Sequence, residues 1–343
     1  MFRIFSEFRN NRNVFILLNL SFLIGLSNFA SAKASEDPIK FFSWHEYLSP
    51  EVERDLKIKH GYNLETTTYL TNDMAASRLI HNREKFEVAI ISNVVYDMLL
   101  KHGVLQKNLF KGMKRDYLEI FRNVKDNCTP FFWLVSGYLY DAKVLKTGPN
   151  SIESLLKLAK DKSVFVSVVD DAIEVGYRVM GDHSRRIEDL DIYPKDLWKN
   201  VRFISDIWRS SPYKRIAVFT WHGVATDHLF ANQELEFSLP AKNLLVGYDL
   251  VCIVSKDQKR IPRLKRFVEF LTVSENTERN IKYNQYFSPY RDAKQKSLHP
   301  KIKKIYDASL KKIKSKNYVE TKMMQDEDLK RLNEWWRTRR YGE

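Results

Sequence analysis

Apolar and polar positions along the chain predict strands and helices in alternation. Ile39-Lys40-Phe41-Phe42 is a short β-rich run. Ser49-Pro50-Glu51 supplies an N-cap serine and a proline at the first helical position, and Gly61 ends the helix so opened. Residues 62–70, with three successive threonines, read as a strand, 75–81 as a helix and 86–91 as a buried strand. A further helix reaches Gly103. Such alternation implies parallel βαβ units with right-handed crossovers. It resumes with a strand at 164–169, a helix at 172–180, and strands at 216–219 and 250–254. Residues 261–273 form an amphipathic helix that Pro262 starts. No internal repeat is present. The pattern is α/β throughout, and 343 residues of that class suit two sheets with ligands at the carboxyl ends of strands between them.

The first residues do not fit this pattern. Arg3, Arg9 and Arg12 precede an apolar stretch over 14–26, and Ala30-Ser31-Ala32 supplies small residues where a signal peptidase reads. Asn19, Ser21, Ser27 and Asn28 interrupt the run, leaving it short of the ~20 apolar residues that span a bilayer. Residues 1–32 are expected to be a signal peptide, with the mature chain in a Gram-negative periplasm. Cys128 and Cys252 then either pair in that oxidising space or remain two buried thiols.

Charge narrows the reading further. The chain carries a formal +14, which invites a nucleic-acid partner, but residues 294–343 hold +8 of it and 33–293 only +4. Lys301, Lys303, Lys304, Lys311, Lys312, Lys314 and Lys316 alternate there with Ile302, Ile305, Leu310 and Ile313. That is a helix docked by one apolar face with a solvated basic side. No nucleic acid is expected as partner.

Candidate chemistry is sparse. GxGxxG, HExxH, GxSxG and CxxC are absent, and Gly176 and Gly181 are followed by Asp182-His183 where a phosphate loop needs Lys-Ser/Thr. Four stretches put acids or aromatics at strand ends: Trp44-His45-Glu46-Tyr47, Asp170-Asp171 with Glu174, Trp221-His222, and Tyr248-Asp249 just before a strand. Each alone has a plain structural meaning. An Asp with a Glu three residues on is a common helix cap, and His45 and His222 lack a third ligand at recognisable spacing. No metal or cofactor is expected.

Taken in order, these stretches resemble the bacterial periplasmic spermidine/putrescine-binding proteins. The resemblance rests on Phe-Ser-Trp-His-Glu-Tyr, on 86–92 with Gly103-Val104-Leu105-Gln106, and on Pro130-Phe131-Phe132-Trp133. It continues through 169–175, Phe219-Thr220-Trp221, Phe237-Ser238-Leu239-Pro240, Tyr248-Asp249, 267–271 and Tyr286-Phe287-Ser288-Pro289. It implies a two-lobed type II periplasmic binding protein with a central cleft and hinge crossings near 132–137, 244–249 and 291–300. Lobe 1 would comprise 33–132 plus 250–292, and lobe 2 would comprise 133–249 plus 293–343. The resemblance assigns the ligand groups to Trp44, Tyr47, Ser92, Asp171, Glu174, Trp221, Asp249 and Tyr286. Carboxylates suit the three donors of an ammonium group, and indoles suit both the methylene spacer and the cation. The implied partners are a polyamine and an inner-membrane ABC permease, with the protein a monomer and no enzyme.

The chain departs from the family pattern at three places. His45 stands for Thr or Ser, Val94 for Tyr and Gly247 for Trp, the last expected to remove an aromatic wall and widen the cleft. Lys322 falls near where the family has a Gln. Two other readings stay open at this point: a periplasmic polyamine sensor for a membrane signalling protein, and an extracytoplasmic hydrolase using Asp171 and Glu174.

Overall fold

The computed structural model describes residues 37–342 apart from 112–114, 122, 123, 125, 161–163, 170, 205–215, 292, 294, 323 and 325. The expected signal peptide and Asp170 lie outside the described residues. β1 (Ile39–Trp44) leads to α1 (Pro50–His60), β2 (Leu64–Tyr69), α2 (Asn72–His81), β3 (Val88–Ser92) and α3 (Asn93–Lys101). The first helix starts as its sequence dictates. Ser49 accepts a hydrogen bond from the Val52 N–H, Pro50 occupies the first turn, and Gly61 closes the helix at φ 66°. β1 pairs in parallel with β2 on one side and β3 on the other.

Two long strands carry the chain between the halves of the sheet. β4 (Cys128–Asp141) and β9 (Leu244–Ile253) run antiparallel from Cys128 opposite Cys252 to Val135 opposite Val246. β9 also pairs with β3. Beyond Val135, β4 turns its edges to β7 (Ile216–Trp221) and β8 (Leu235–Ser238). β7 pairs in parallel with β5 (Phe165–Val169), and β5 with β6 (Arg202–Ile204). The order is β2-β1-β3-β9-β4-β7-β5-β6, with β10 (Tyr318–Glu320) against β9. β2-β1-β3 form a first half-sheet and β7-β5-β6 a second, with β4 and β9 between them.

The sequence places Tyr248-Asp249 ahead of a strand; the structure places them inside one. Leu134 pairs with Gly247, Trp133 with Tyr248 and Phe132 with Asp249, so the ladder continues through the gap in the apolar pattern. Backbone pairing on both edges overrides the local polarity.

The cysteines form a disulfide, Cys128–Cys252, across directly opposed positions with Cα atoms 4.5 Å apart. That spacing suits the bridge.

In the second half, α4 (Ile152–Leu158) and α5 (Ala172–Gly181) cover β5 and β7, and α6 (His222–Ala231) follows β7. After β9 come α7 (Ile261–Leu271) and α8 (Ser274–Asn284). The basic helix α9 (Pro300–Lys314) buries Ile302, Ile305 and Tyr306 and leaves Lys304, Lys311 and Lys314 exposed, as its periodicity predicts. α10 (Asp326–Tyr341) buries Leu332, Trp335 and Trp336. Leu332 sits on Gly176 of α5, and the Trp335 indole donates to the Leu190 carbonyl at 2.7 Å. Among the described residues no helix is long and apolar enough to cross a membrane.

Candidate ligand site between the half-sheets

Asp249 sits where β9 is paired with Ser92 on one edge and Phe132 on the other, and it is only 5% exposed. Its carboxylate accepts from the Trp44 indole N–H at 3.3 Å and from the Tyr47 hydroxyl. Glu46, at φ 51°, makes the turn after β1 that returns Tyr47 over the sheet. Asn284 holds the turn by donating to the Tyr47 carbonyl at 3.1 Å. Tyr286 packs on Tyr47 with ring centroids 5.2 Å apart, and Trp44 on Tyr69 at 4.3 Å. Burial pushes Asp249 up to about 7, although both hydrogen bonds pull it down. The same burial, with Asp249 close by, raises Tyr47 well above the usual phenol range. Asp249 is thus a carboxyl poised to ionise near neutrality.

A second pair of acids belongs to α5. Asp171 is the N-cap and accepts from the Glu174 N–H at 2.9 Å, the arrangement its spacing predicts. Glu174 is 3% exposed, with the Trp221 side chain as a neighbouring donor. Burial first, then the Asp171 charge, raise Glu174 well above the usual carboxylate range; the neighbouring Trp221 side chain offsets a smaller part. A carboxyl this buried, with so little to offset its desolvation, is costly to ionise until a cation arrives.

Trp221, the last residue of β7, neighbours Glu174 and reaches β9. Its ring lies so close to Gly247 that a Cβ there would fall 2.9 Å from Trp221 Cη2. Gly247 and Asp249 are two apart on β9 and therefore share a face. The glycine does not widen the cleft as its sequence suggests, because the Trp221 indole occupies the space a side chain would take.

The remaining expected residues separate by role. Ser92 caps α3, its hydroxyl accepting from the Val94 N–H at 3.3 Å, and it is half-buried beside Asp249 in the ladder. Val94 is buried in the apolar cluster of the second half-sheet. The His45 side chain is 67% exposed, pairing with Glu46 rather than facing Asp249. His222 is a structural residue. Burial lowers it to about 3, its Nδ1 accepts from the Val135 N–H at 3.2 Å, and its ring stacks on Phe287 at 4.0 Å. Asp171 and Glu174 project from one helix turn, with one Asp171 oxygen engaged by the helix backbone, which is not the opposed pair a glycosidase uses. No group of three metal-ligating side chains occurs among the described residues. Tyr69, Asn284 and Gly223 belong to the same surroundings and were not singled out by sequence. Tyr69 ends β2 as Trp44 ends β1, in register with it, which is the signal that could have found it.

The same arrangement of strands occurs in known proteins. Over 88% of this chain and 98% of the other, it superposes on a putative spermidine/putrescine ABC transporter protein of Listeria monocytogenes with a TM-score of 0.73 and 17% identity. The chain has the two-lobed periplasmic binding-protein fold. The Streptococcus pneumoniae spermidine/putrescine ABC transporter substrate-binding protein gives 0.72 at 17% identity over 88% of this chain and 98% of that one. A periplasmic thiamin-binding protein gives 0.66 at 13% identity, covering 90% and 98%. In sequence, the chain is 24% identical over 152 residues to the putrescine/agmatine-binding protein of Pseudomonas aeruginosa. That match spans 40% of this chain and 40% of the relative's length. No family model matches the chain.

Proposed function

We propose that the protein is the solute-binding component of an ABC importer, capturing a linear polyamine such as putrescine or spermidine between its lobes and presenting it to an inner-membrane permease. One observation carries this reading. Asp249 and Glu174 are both buried acids, the first held by the Trp44 and Tyr47 donors, the second beside the Trp221 side chain, whose ring also lies against Gly247, two residues from Asp249. A linear diamine answers both. One ammonium neutralises Asp249 and the other donates to the Glu174 carboxylate with Asp171 beside it. The methylene chain lies on Trp221, and Trp44 and Tyr286 complete the wall.

Residues 33–132 with 250–292 would form one lobe and 133–249 with 293–343 the other, hinged on β4 and β9. Ligand groups then come from both lobes, so closure adds contacts that the open state lacks, and this differential shifts the equilibrium. No bond is made or broken. Residues 1–32 would direct export to the periplasm, where the protein acts as a monomer.

Calorimetry on the mature protein tests the reading with putrescine, spermidine, agmatine and thiamin. A 1:1 complex with at least one polyamine is expected, and Asp249→Asn should weaken it by roughly 2–5 kcal/mol, as when one partner of a buried charge pair is removed. Binding of thiamin in place of every polyamine, or an unchanged Asp249→Asn affinity, would sink it.

A further inference from the structure

Gly223 is the second residue of α6, two positions beyond Trp221. A Cβ on it would collide with Tyr286 Cε1 and lie 2.6 Å from Cδ1 and 3.0 Å from Cζ. The tyrosine ring therefore rests on bare helix backbone. Tyr286 is half-buried, and two of its other sides are bounded by Tyr47 and Phe132, with ring centroids at 5.2 and 5.8 Å and 4% and 0% exposed.

Both ends of this contact are fixed. On the helix side, neighbouring His222 accepts from the Val135 N–H and stacks on Phe287. On the other side, Asn284 accepts from the Tyr286 N–H at 3.1 Å while donating to the Tyr47 carbonyl at 3.1 Å. Tyr47 in turn gives its hydroxyl to Asp249. One chain of contacts thus runs from the first turn of α6 through two tyrosines to a buried carboxylate on β9.

Resting on the polyamine reading above, we propose that Gly223 is a positioning residue whose missing side chain seats Tyr286, and through Tyr47 sets the Asp249 carboxylate for the ligand's ammonium. Alanine ordinarily favours a helix over glycine, so any loss on Gly223→Ala has to come from the collision. The displaced ring would press on Tyr47 and loosen its hydroxyl from Asp249. Since that hydrogen bond holds the carboxyl's protonation down, its loss moves the pH dependence of binding as well as its strength.

The test uses full mature protein and putrescine and spermidine as probes, with affinities measured between pH 5 and 9. Gly223→Ala is expected to weaken binding at least tenfold at pH 8 and to move the midpoint of the pH dependence upward. On a Tyr286→Leu background the same substitution is expected to change affinity less than twofold. Should that background bind too weakly to titrate, urea midpoints make the comparison: Gly223→Ala lowers the midpoint of the parent and leaves that of Tyr286→Leu unchanged or raised. Parent-like affinity and pH midpoint in Gly223→Ala would overturn the proposal, as would equal losses on both backgrounds. Failure of the parent protein to bind any polyamine overturns the functional reading instead, while the urea comparison still tests the contact.

Discussion

Replacing Asp249 with Asn is expected to stabilise the ligand-free protein while weakening its ligand binding. The carboxyl rises from 3.8 to about 7 on folding, chiefly through burial. An acid whose folded pKa lies above its unfolded one holds more protons folded than unfolded between those values. Stability therefore falls as pH rises from about 4 to about 7 and stays reduced above that. Three units at roughly 1.4 kcal/mol each put the full cost on the order of 4 kcal/mol. Asparagine keeps the shape without the charge. Its oxygen can still accept from Trp44 or Tyr47, so most of the local packing survives. Urea denaturation of both proteins at pH 4 and pH 8, without ligand, measures the difference. The variant should be more stable at pH 8 by up to about 4 kcal/mol, with the gap closing by pH 4. An Asn variant no more stable than its parent at pH 8 would show that Asp249 is solvated or already paired, and the site argument would fail with it.

Three further outcomes follow from the same geometry. Affinity for putrescine should be flat above pH 7 and fall about tenfold per unit below it, because the cation must displace a proton from Asp249; calorimetry at pH 5 and 8 should differ about 100-fold, more if Glu174 exchanges a proton as well. Reducing Cys128–Cys252, or replacing both by Ser, reopens a link between residues 124 apart and should cost about 5 kcal/mol in denaturant unfolding; a loss below about 1 kcal/mol would mean that the denatured chain is not the reference state it is taken for. Gly247→Ala puts a methyl group 2.9 Å from Trp221 Cη2, and the displaced indole should change its fluorescence and weaken binding about tenfold, or ~1.4 kcal/mol; unchanged spectra and affinity would show that Trp221 has room to move.

Elements that depend on near neighbours were legible in the sequence. Ser49, Pro50 and Gly61 bracket the first helix as written, and Asp171 caps α5 over Glu174 as its spacing predicts. Both signals are local, since a cap or a left-handed glycine acts within one turn. The order of motifs resembling polyamine binders led to the right fold, because order along the chain survives where identity has dropped below a fifth. What the sequence misjudged depends on cross-chain packing. Asp249 was expected just before a strand of five apolar residues, yet pairing from β3 and β4 fixes it mid-strand. Gly247 looked like a gap, yet a tryptophan from β7 fills it. His45 looked adjacent to the site, but period two at a strand end turns its side chain outward to Glu46. The disulfide was undecided from sequence because bridging depends on the approach of two Cα atoms, which strand register supplies.

The net charge of +14 does not oppose a cationic ligand once its placement is considered. The basic side chains of α9 lie outside the sheet, and several are engaged there: Lys301 donates to the Gln233 and Leu235 carbonyls, Lys312 to that of Ala241, and Lys303 is neutralised by Asp307. Acids from separate parts of the chain meet instead near the turn after β1. Asp227 on α6 is raised by burial and by the Glu46 charge, so the two carboxylates are close enough to feel one another. At physiological salt an exposed charge is largely screened beyond about 8 Å, so the distant lysines lose their influence sooner than the acids lining the buried interior. On the proposed reading, an approaching polyamine would meet weak long-range repulsion followed by short-range attraction to the buried acids. Repulsion of that kind would slow encounter and leave the proposed closed complex, with Asp249 and Glu174 shielded from water, nearly unaffected.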